Sequence, residues 1–346
     1  ALAQRKGNVL YGIIDQYTGQ ELTLSLVTGT PTVDNIIYFQ LGSEYFKRNY
    51  TEVNVKWFGA KGDNVNDDTL PIQAAINFTG LNNGTCLVPN GTYKITDGLT
   101  INTGLLFTGE NLTTTIINLV SATRKVAITI DSQGTNGYIR GGGIQKFTID
   151  CGGTSDGVLV DVIFPWSINQ AVYRDLKITN TLLGFETRVD DNSAIIYINI
   201  FDNIAIEQGI KEGGFKLNGG TYNVCTQLSA SDGSTTDDYY GFKVSQVGST
   251  FSNITTDSWS EFDNIYGTMT NYVCETTIAR NALPLRASAI NIFEGIYNLM
   301  FFVNLDKSRY ESVIFLNDRK ITINNIEVNN LTATIQDFPF NLSTAG

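Results

Sequence analysis

Three carboxylates stand just past short apolar runs. Glu207 follows Ile204-Ala205-Ile206, Asp232 follows Leu228-Ser229-Ala230-Ser231, and Asp257 follows Ile254-Thr255-Thr256. The steps 207 to 232 and 232 to 257 are both 25 residues. If that interval is one turn of a stacked architecture, neighbouring turns place equivalent side chains about 4.8 Å apart and alternate turns about twice that. Carboxyl groups about 5–5.5 Å apart hydrolyse a glycosidic bond with retention, and groups about 6.5–9.5 Å apart do so with inversion. Glu207 with Asp232, or Asp232 with Asp257, suits the first case, and Glu207 with Asp257 suits the second. Crowding raises the pKa of one member of such a pair, leaving an acid beside a base. Asp232 sits one residue later in its run than the other two do in theirs. Glu261 is a reserve candidate because it follows Trp259, a ring on which a sugar can stack. The chain contains no histidine, which removes Ser-His-Asp triads, Cys-His dyads and His-ligated zinc.

These side chains need elements that repeat. Short apolar runs ended by Asn, Gly, Asp or Ser recur through the chain, among them Thr115-Ile116-Ile117, Phe147-Thr148-Ile149, Leu176-Lys177-Ile178 and Ile321-Thr322-Ile323. Their echoes fall at Ile178, Ile206, Ala230 and Thr256, at intervals of 28, 24 and 26 residues. Irregular repeats of this size predict a parallel β-helix, in which each coil stacks on its neighbours and loops vary freely. A β-sandwich is the rival. It needs Asn-Gly hairpins, and Asn83-Gly84, Asn90-Gly91 and Asn218-Gly219 are present.

One helix is expected over 68–79. Asp68 or Thr69 is placed to cap it, Pro71 is tolerated in its first turn, and Leu70, Ile72, Ala75, Ile76 and Phe78 form its apolar side. The organisation read from these patterns is a small β-rich leader over 1–52, with strands at Leu22–Leu26 and Ile36–Phe39, a β-helix over 53–330, and a tail over 331–346. The chain opens on Ala1 without methionine, as a piece of a longer protein does.

The net charge of −11 and the absence of a basic block argue against nucleic acid as a partner. No apolar run is long enough to insert in a membrane as a helix, and no secretory leader pattern opens the chain. Cys86, Cys151, Cys225 and Cys274 are far apart and form no CxxC pair, so they are expected as reduced, buried small hydrophobes. The run Asp63-Asn64-Val65-Asn66-Asp67 has the look of a calcium loop but lacks its glycine and its closing glutamate. No metal and no cofactor is expected. Acids concentrate between 186 and 263, and Trp166, Tyr239, Tyr240, Trp259 and Tyr266 are candidate sugar platforms beside them.

The segment Phe58-Gly59-Ala60-Lys61-Gly62-Asp63, then Asp67-Asp68-Thr69, then Gln73-Ala74-Ala75-Ile76, resembles the signature of the pectate-lyase-like superfamily that contains phage tailspikes and capsule depolymerases. Val88-Pro89-Asn90-Gly91-Thr92-Tyr93 and Gly109-Glu110-Asn111 continue it. The resemblance covers about 53–120. It implies a right-handed β-helix capped by the helix, a homotrimer on a phage particle, and action outside the cell on a bacterial surface polysaccharide. Within the signature, Gly59 and Gly62 allow a reversal while Asp63, Asp67 and Asp68 are scaffold. Three activities remain open. A glycoside hydrolase leads. A polysaccharide lyase without histidine needs Tyr239, Tyr240, Lys216, Lys243 or Arg280 as its base. A non-catalytic glycan-binding adhesin is the third. The strip Leu299-Met300-Phe301-Phe302-Val303 is a candidate subunit contact.

Overall fold

Ile178 pairs with Ile206, Ile206 with Ala230, and Ala230 with Thr256, all in parallel register. The intervals of 28, 24 and 26 residues are therefore single coils of a right-handed parallel β-helix. A computed structural model of the protein describes residues 4–133, 138–190, 195–231, 239–265 and 268–276, and then the segments 285–288, 296–297, 299–303, 314–316, 322–323 and 327–328. Cys274 and the strip 299–303 lie in described strands, but nothing is described of their side chains, and the tail over 331–346 lies outside the described residues.

Two parallel sheets run the length of the solenoid. One stacks strands such as Gly143–Asp150, Val172–Thr179, Ile200–Glu207, Val224–Ala230 and Thr250–Thr256. The other stacks Asp156–Val162, Leu183–Val189, Gly213–Thr221, Tyr240–Val247 and Trp259–Ile265. Asn83-Gly84, Asn90-Gly91 and Asn218-Gly219 do not close hairpins: the strands of this body that flank them pair in parallel with strands of other coils.

The bends between faces are built from left-handed residues in columns. Lys146, Asp175, Asn203, Gln227 and Asn253 occupy one bend with φ from 51° to 63°. Gly141, Gln170, Ile198, Tyr222 and Gly248 occupy a second. Glycine and asparagine visit this region readily, but for Ile198 and Tyr222 it is a strained choice. Beside the second bend, buried side-chain amides replace missing strand partners. Asn199 Oδ1 accepts from Ala171 N at 2.8 Å, Asn223 Oδ1 accepts from Asn199 N at 2.8 Å, and Ser249 Oγ accepts from Asn223 N at 3.1 Å. The ladder satisfies backbone donors that no water can reach.

The interior is aliphatic and aromatic. Phe215 and Phe242 stack at 4.7 Å, and Tyr173 and Phe201 at 4.9 Å. Cys86, Cys151 and Cys225 are free and buried there, as small hydrophobes.

The leader is an antiparallel sheet of β1 (Gln4–Lys6), β2 (Val9–Ile14), β3 (Glu21–Val27), β4 (Tyr38–Leu41) and β5 (Glu44–Arg48), in the order β1-β2-β3-β5-β4. β4 begins two residues later than expected because the Asp34 carboxylate accepts N–H groups from Ile36, Ile37 and Tyr38 at 2.8, 2.7 and 2.9 Å, which holds that stretch in a turn. Arg48 joins the leader to the solenoid. Its buried guanidinium pairs with Asp15, donates to Ile36 O at 2.7 Å and lies 4.1 Å over the Trp57 ring.

The helix α1 (Thr69–Gly80) covers the first coil with Ile72, Ala75 and Ile76 buried. Asp67 rather than Asp68 caps it, accepting from Thr69 N at 3.0 Å. Asp68 turns away and accepts N–H groups from Lys61 at 2.6 Å and Gly62 at 2.9 Å, holding the glycine loop. At the solenoid's first edge, Gln73 takes both backbone groups of Thr100. Its Nε2 donates to Thr100 O at 2.9 Å and its Oε1 accepts from Thr100 N at 2.8 Å.

Candidate functional site

The ladder through Ile206, Ala230 and Thr256 continues for one more residue. Ser231 N donates to Ile206 O at 3.0 Å and Asp257 N to Ala230 O at 3.3 Å. Glu207 and Asp257 therefore share one register two coils apart, at the exit of the long sheet toward the second. The coil between them contributes Ser231 at that register. Asp232, one residue later, lies outside the described residues. Glu207 Oε1 meets Lys177 Nζ at 2.7 Å. Asp257 accepts a hydrogen bond from the hydroxyl of Tyr239, and Ser258 donates to the Tyr239 carbonyl.

Around the same corner, the outer face of the second sheet carries a charged array. Arg124 grips two carboxylates at once. Its Nε and Nη2 donate to Asp156 at 2.9 and 3.0 Å, and its Nη1 and Nη2 donate to Glu212, both at 2.8 Å. Planar guanidinium groups suit such forked pairing. Lys216 Nζ reaches Glu186 at 2.6 Å, and Arg188 bridges to Asp161 at 2.7 Å. Register explains the pattern: Glu186 pairs with Lys216, Lys216 with Lys243, Lys243 with Glu261, and Glu261 with Arg286. Glu261 thus belongs to a column of charged residues of both signs, with Lys216 and Lys243 adjacent in it, and not to the Glu207–Asp257 ladder. Nothing is described of its side chain.

Tyr240 lies at the centre of this array. Its ring rests against Gly213, where an added Cβ would fall 2.2 Å from Cζ, and the Lys243 ammonium sits 4.3 Å from the ring centroid. Burial pushes the Tyr240 hydroxyl well above its ordinary value, and the carboxylates of Glu186, Glu212 and Asp156 push it further. Hydrogen bonding to Asp156 raises the Arg124 guanidinium. At neutral pH the array presents fixed cations, carboxylates and a protonated phenol. A phenol so placed donates a hydrogen bond, and it acts as a base only if a further cation offsets the three carboxylates.

The five aromatic candidates are dispersed. Tyr239 is 3% exposed and Tyr240 9%, so both rings are packed in. Trp166 is half-buried in the loop between Asp156–Val162 and Ser167–Asn169, around another edge. Trp259 pairs with Tyr240 in the second sheet, and nothing is described of its side chain. Tyr266 lies outside the described residues, as does Arg280. Among the described residues, no group of three or more His, Cys, Asp or Glu is placed to hold a metal ion.

The grip of Arg124 on Asp156 and Glu212 was not legible in the sequence, because Arg124 and Glu212 are 88 residues apart. The Glu186–Lys216–Lys243 column was legible: it follows Gly184-Phe185, Gly214-Phe215 and Gly241-Phe242, a repeated Gly-Phe-charge triplet.

Comparison with known proteins supports the same architecture. A stretch of 77 residues is 40% identical to mannuronan C5-epimerase AlgE5 of Azotobacter vinelandii, covering 20% of this chain and 8% of that protein. A stretch of 107 residues is 35% identical to alginate lyase 7 of the same organism, covering 29% of this chain and 12% of the lyase. The chain thus matches only a small part of these relatives' length. The tailspike protein of Acinetobacter baumannii phage AM24 superposes with a TM-score of 0.51 at 14% identity, over 92% of this chain and 56% of that one. Residues 52–266 match the family described as rhamnogalacturonase A/epimerase, pectate lyase-like, and the chain belongs to that family.

Proposed function

We propose that this chain is part of a phage tailspike-like depolymerase that binds and cleaves a bacterial capsular or exopolysaccharide by carboxylate-based glycoside hydrolysis. The observation that carries this reading is the shared ladder of Glu207 and Asp257. Two coils separate them by about 9.6 Å along the stack, the upper end of the range in which water fits between an acid and a base. Tyr239, bonded to Asp257, orients that carboxylate. The protein acts outside the cell as a homotrimer on a phage tail, and scattering at three times the 38.0 kDa chain mass is the expected result. The test of catalysis is depolymerisation of capsules from a strain panel by Glu207→Gln, Asp232→Asn and Asp257→Asn. Loss of a true acid or base lowers the rate by about 10²–10⁴-fold while glycan binding persists. Wild-type rates in all three variants would remove the assignment.

A second reading, β-elimination on uronic acid residues, is favoured by the Lys216, Lys243 and Arg124 cations around Tyr240. It rests on the idea that cations neutralise a uronate carboxylate before proton abstraction. A product absorbing ultraviolet light through a new C=C bond identifies elimination, and a reducing end without that absorbance identifies hydrolysis.

A further inference from the structure

The second bend of the solenoid carries features that neither its packing nor the charged array explains. Tyr197 is 38% exposed and Tyr222 56% exposed, on successive coils, with their rings edge-on at 6.1 Å. Tyr222 holds φ 51° and its exposed neighbour Ile198 holds φ 52°, positions that Gly141 and Gly248 fill elsewhere in the same column. A bulky residue held in this region is strained, and such strain gathers at ligand clamps. The Tyr222 ring lies over Gly248, whose absent Cβ would come within 2.4 Å of it. The chain therefore bears strain, and leaves Gly248 bare, to lay an aromatic ring along an open ridge.

Arg140 lies in the register column that runs through Asn169 to Tyr197. Six arginines have described side chains, and five of them hold a carboxylate: Arg5, Arg48, Arg124, Arg174 and Arg188. Arg140 holds none among the described residues. It is exposed, and its Nε donates to Gln170 Oε1 at 2.7 Å, which aims the guanidinium within the column. In a chain with net charge −11, an arginine that holds no carboxylate among the described residues, two coils from Tyr197 in the same register column, is charge complementarity in search of an external anion.

We propose that this ridge is a second polysaccharide site, separate from the Glu207–Asp257 ladder, that takes an acidic, uronate-bearing chain. The polymer runs along the solenoid axis. Its sugar faces lie on Tyr197 and Tyr222, and a uronate carboxylate pairs with Arg140. The inference shares the polysaccharide ligand of the proposed function but none of its catalytic residues.

The test is retardation of the whole chain in native gels containing alginate, polygalacturonate or neutral dextran. The wild type is expected to be retarded by at least one of the two acidic polymers and not by dextran. Arg140→Gln should weaken that retardation at least tenfold, and Tyr197→Ser and Tyr222→Asn each severalfold. Tyr222→Asn should melt no lower than the wild type, because asparagine tolerates the left-handed conformation, so its binding defect is not a folding defect. Three outcomes overturn the proposal: no retardation of the wild type by either acidic polymer, equal retardation of wild type and variants, or variants whose main effect is to dissociate an oligomer, which makes the ridge a subunit contact. Glu207→Gln and Asp257→Asn should be retarded like the wild type. If they also cleave at wild-type speed while the ridge variants lose binding, the ridge stands and the catalytic assignment falls.

Discussion

Burial has removed the reactivity of Cys86, Cys151 and Cys225. It pushes the thiols of Cys86 and Cys151 up to about 12, and it raises Cys225 further still. Alkylation requires the thiolate, so iodoacetamide at neutral pH should leave these three unlabelled in the native protein and label them once it is unfolded, as mass spectrometry would show. The same shift makes stability depend on pH. A folded-state pKa above the unfolded value means that the native state holds its proton longer. The stability is full below the ordinary thiol value of about 8.5 and declines as pH rises from there toward 12. Denaturant melts of Cys86→Ala at pH 7 and pH 10 should show a smaller alkaline loss than the wild type, and an equal loss would contradict this account. Single residues were unevenly legible from sequence. The shared register of Glu207 and Asp257 was legible because each directly follows an apolar run, and those runs pair coil to coil. The sequence offers Asp68 or Thr69 as the helix cap, yet it is the Asp67 carboxylate that reaches the helix, because the glycine loop claims both oxygens of Asp68.

At the level of elements, a column of glycines lets the second sheet pack against the long one. Gly157, Gly184, Gly214 and Gly241 precede Val158, Phe185, Phe215 and Phe242 in four successive coils. A Cβ on Gly184 would lie 2.4 and 2.6 Å from Ile206 methyl carbons and 2.9 Å from Gly214 O. Gly184→Ala should cost about 1–3 kcal/mol by overpacking. Gly84→Ala is the control, since its nearest neighbour is a Thr79 methyl at 3.4 Å and its expected effect is within about 0.5 kcal/mol. Equal midpoints for the two variants in denaturant would show that the column does not constrain packing. The strands themselves were legible because their apolar residues recur at one-coil intervals. The bends between faces were not, because they rest on left-handed residues as varied as Lys146, Asp175, Gln227 and Tyr222, which carry no common sequence mark. The sites on the outer faces suffered for the same reason. A face is defined by register, and register changes whenever a loop changes length.

On the scale of the whole molecule, the structure is one-dimensional: each coil is held by the coils on either side, and only the ends lack a neighbour. Beneath α1, Gln73 supplies the first of those missing neighbours, since its amide both donates to and accepts from Thr100 on the strand Leu99–Ile101. One side chain thereby impersonates a β-strand. Without it, the rim offers a bare backbone template to any extended segment that drifts past, which is how fibrillar growth is seeded. Gln73→Leu keeps the helix-forming character of the position and deletes both bonds. Incubated at high concentration, that variant should develop thioflavin fluorescence and rising light scattering under conditions where the wild type stays clear. If both remain clear, the rim is guarded by the bulk of α1 alone. A glutamine that looks like one more polar residue on a helix thus occupies the two backbone groups that an incoming strand at Thr100 would need.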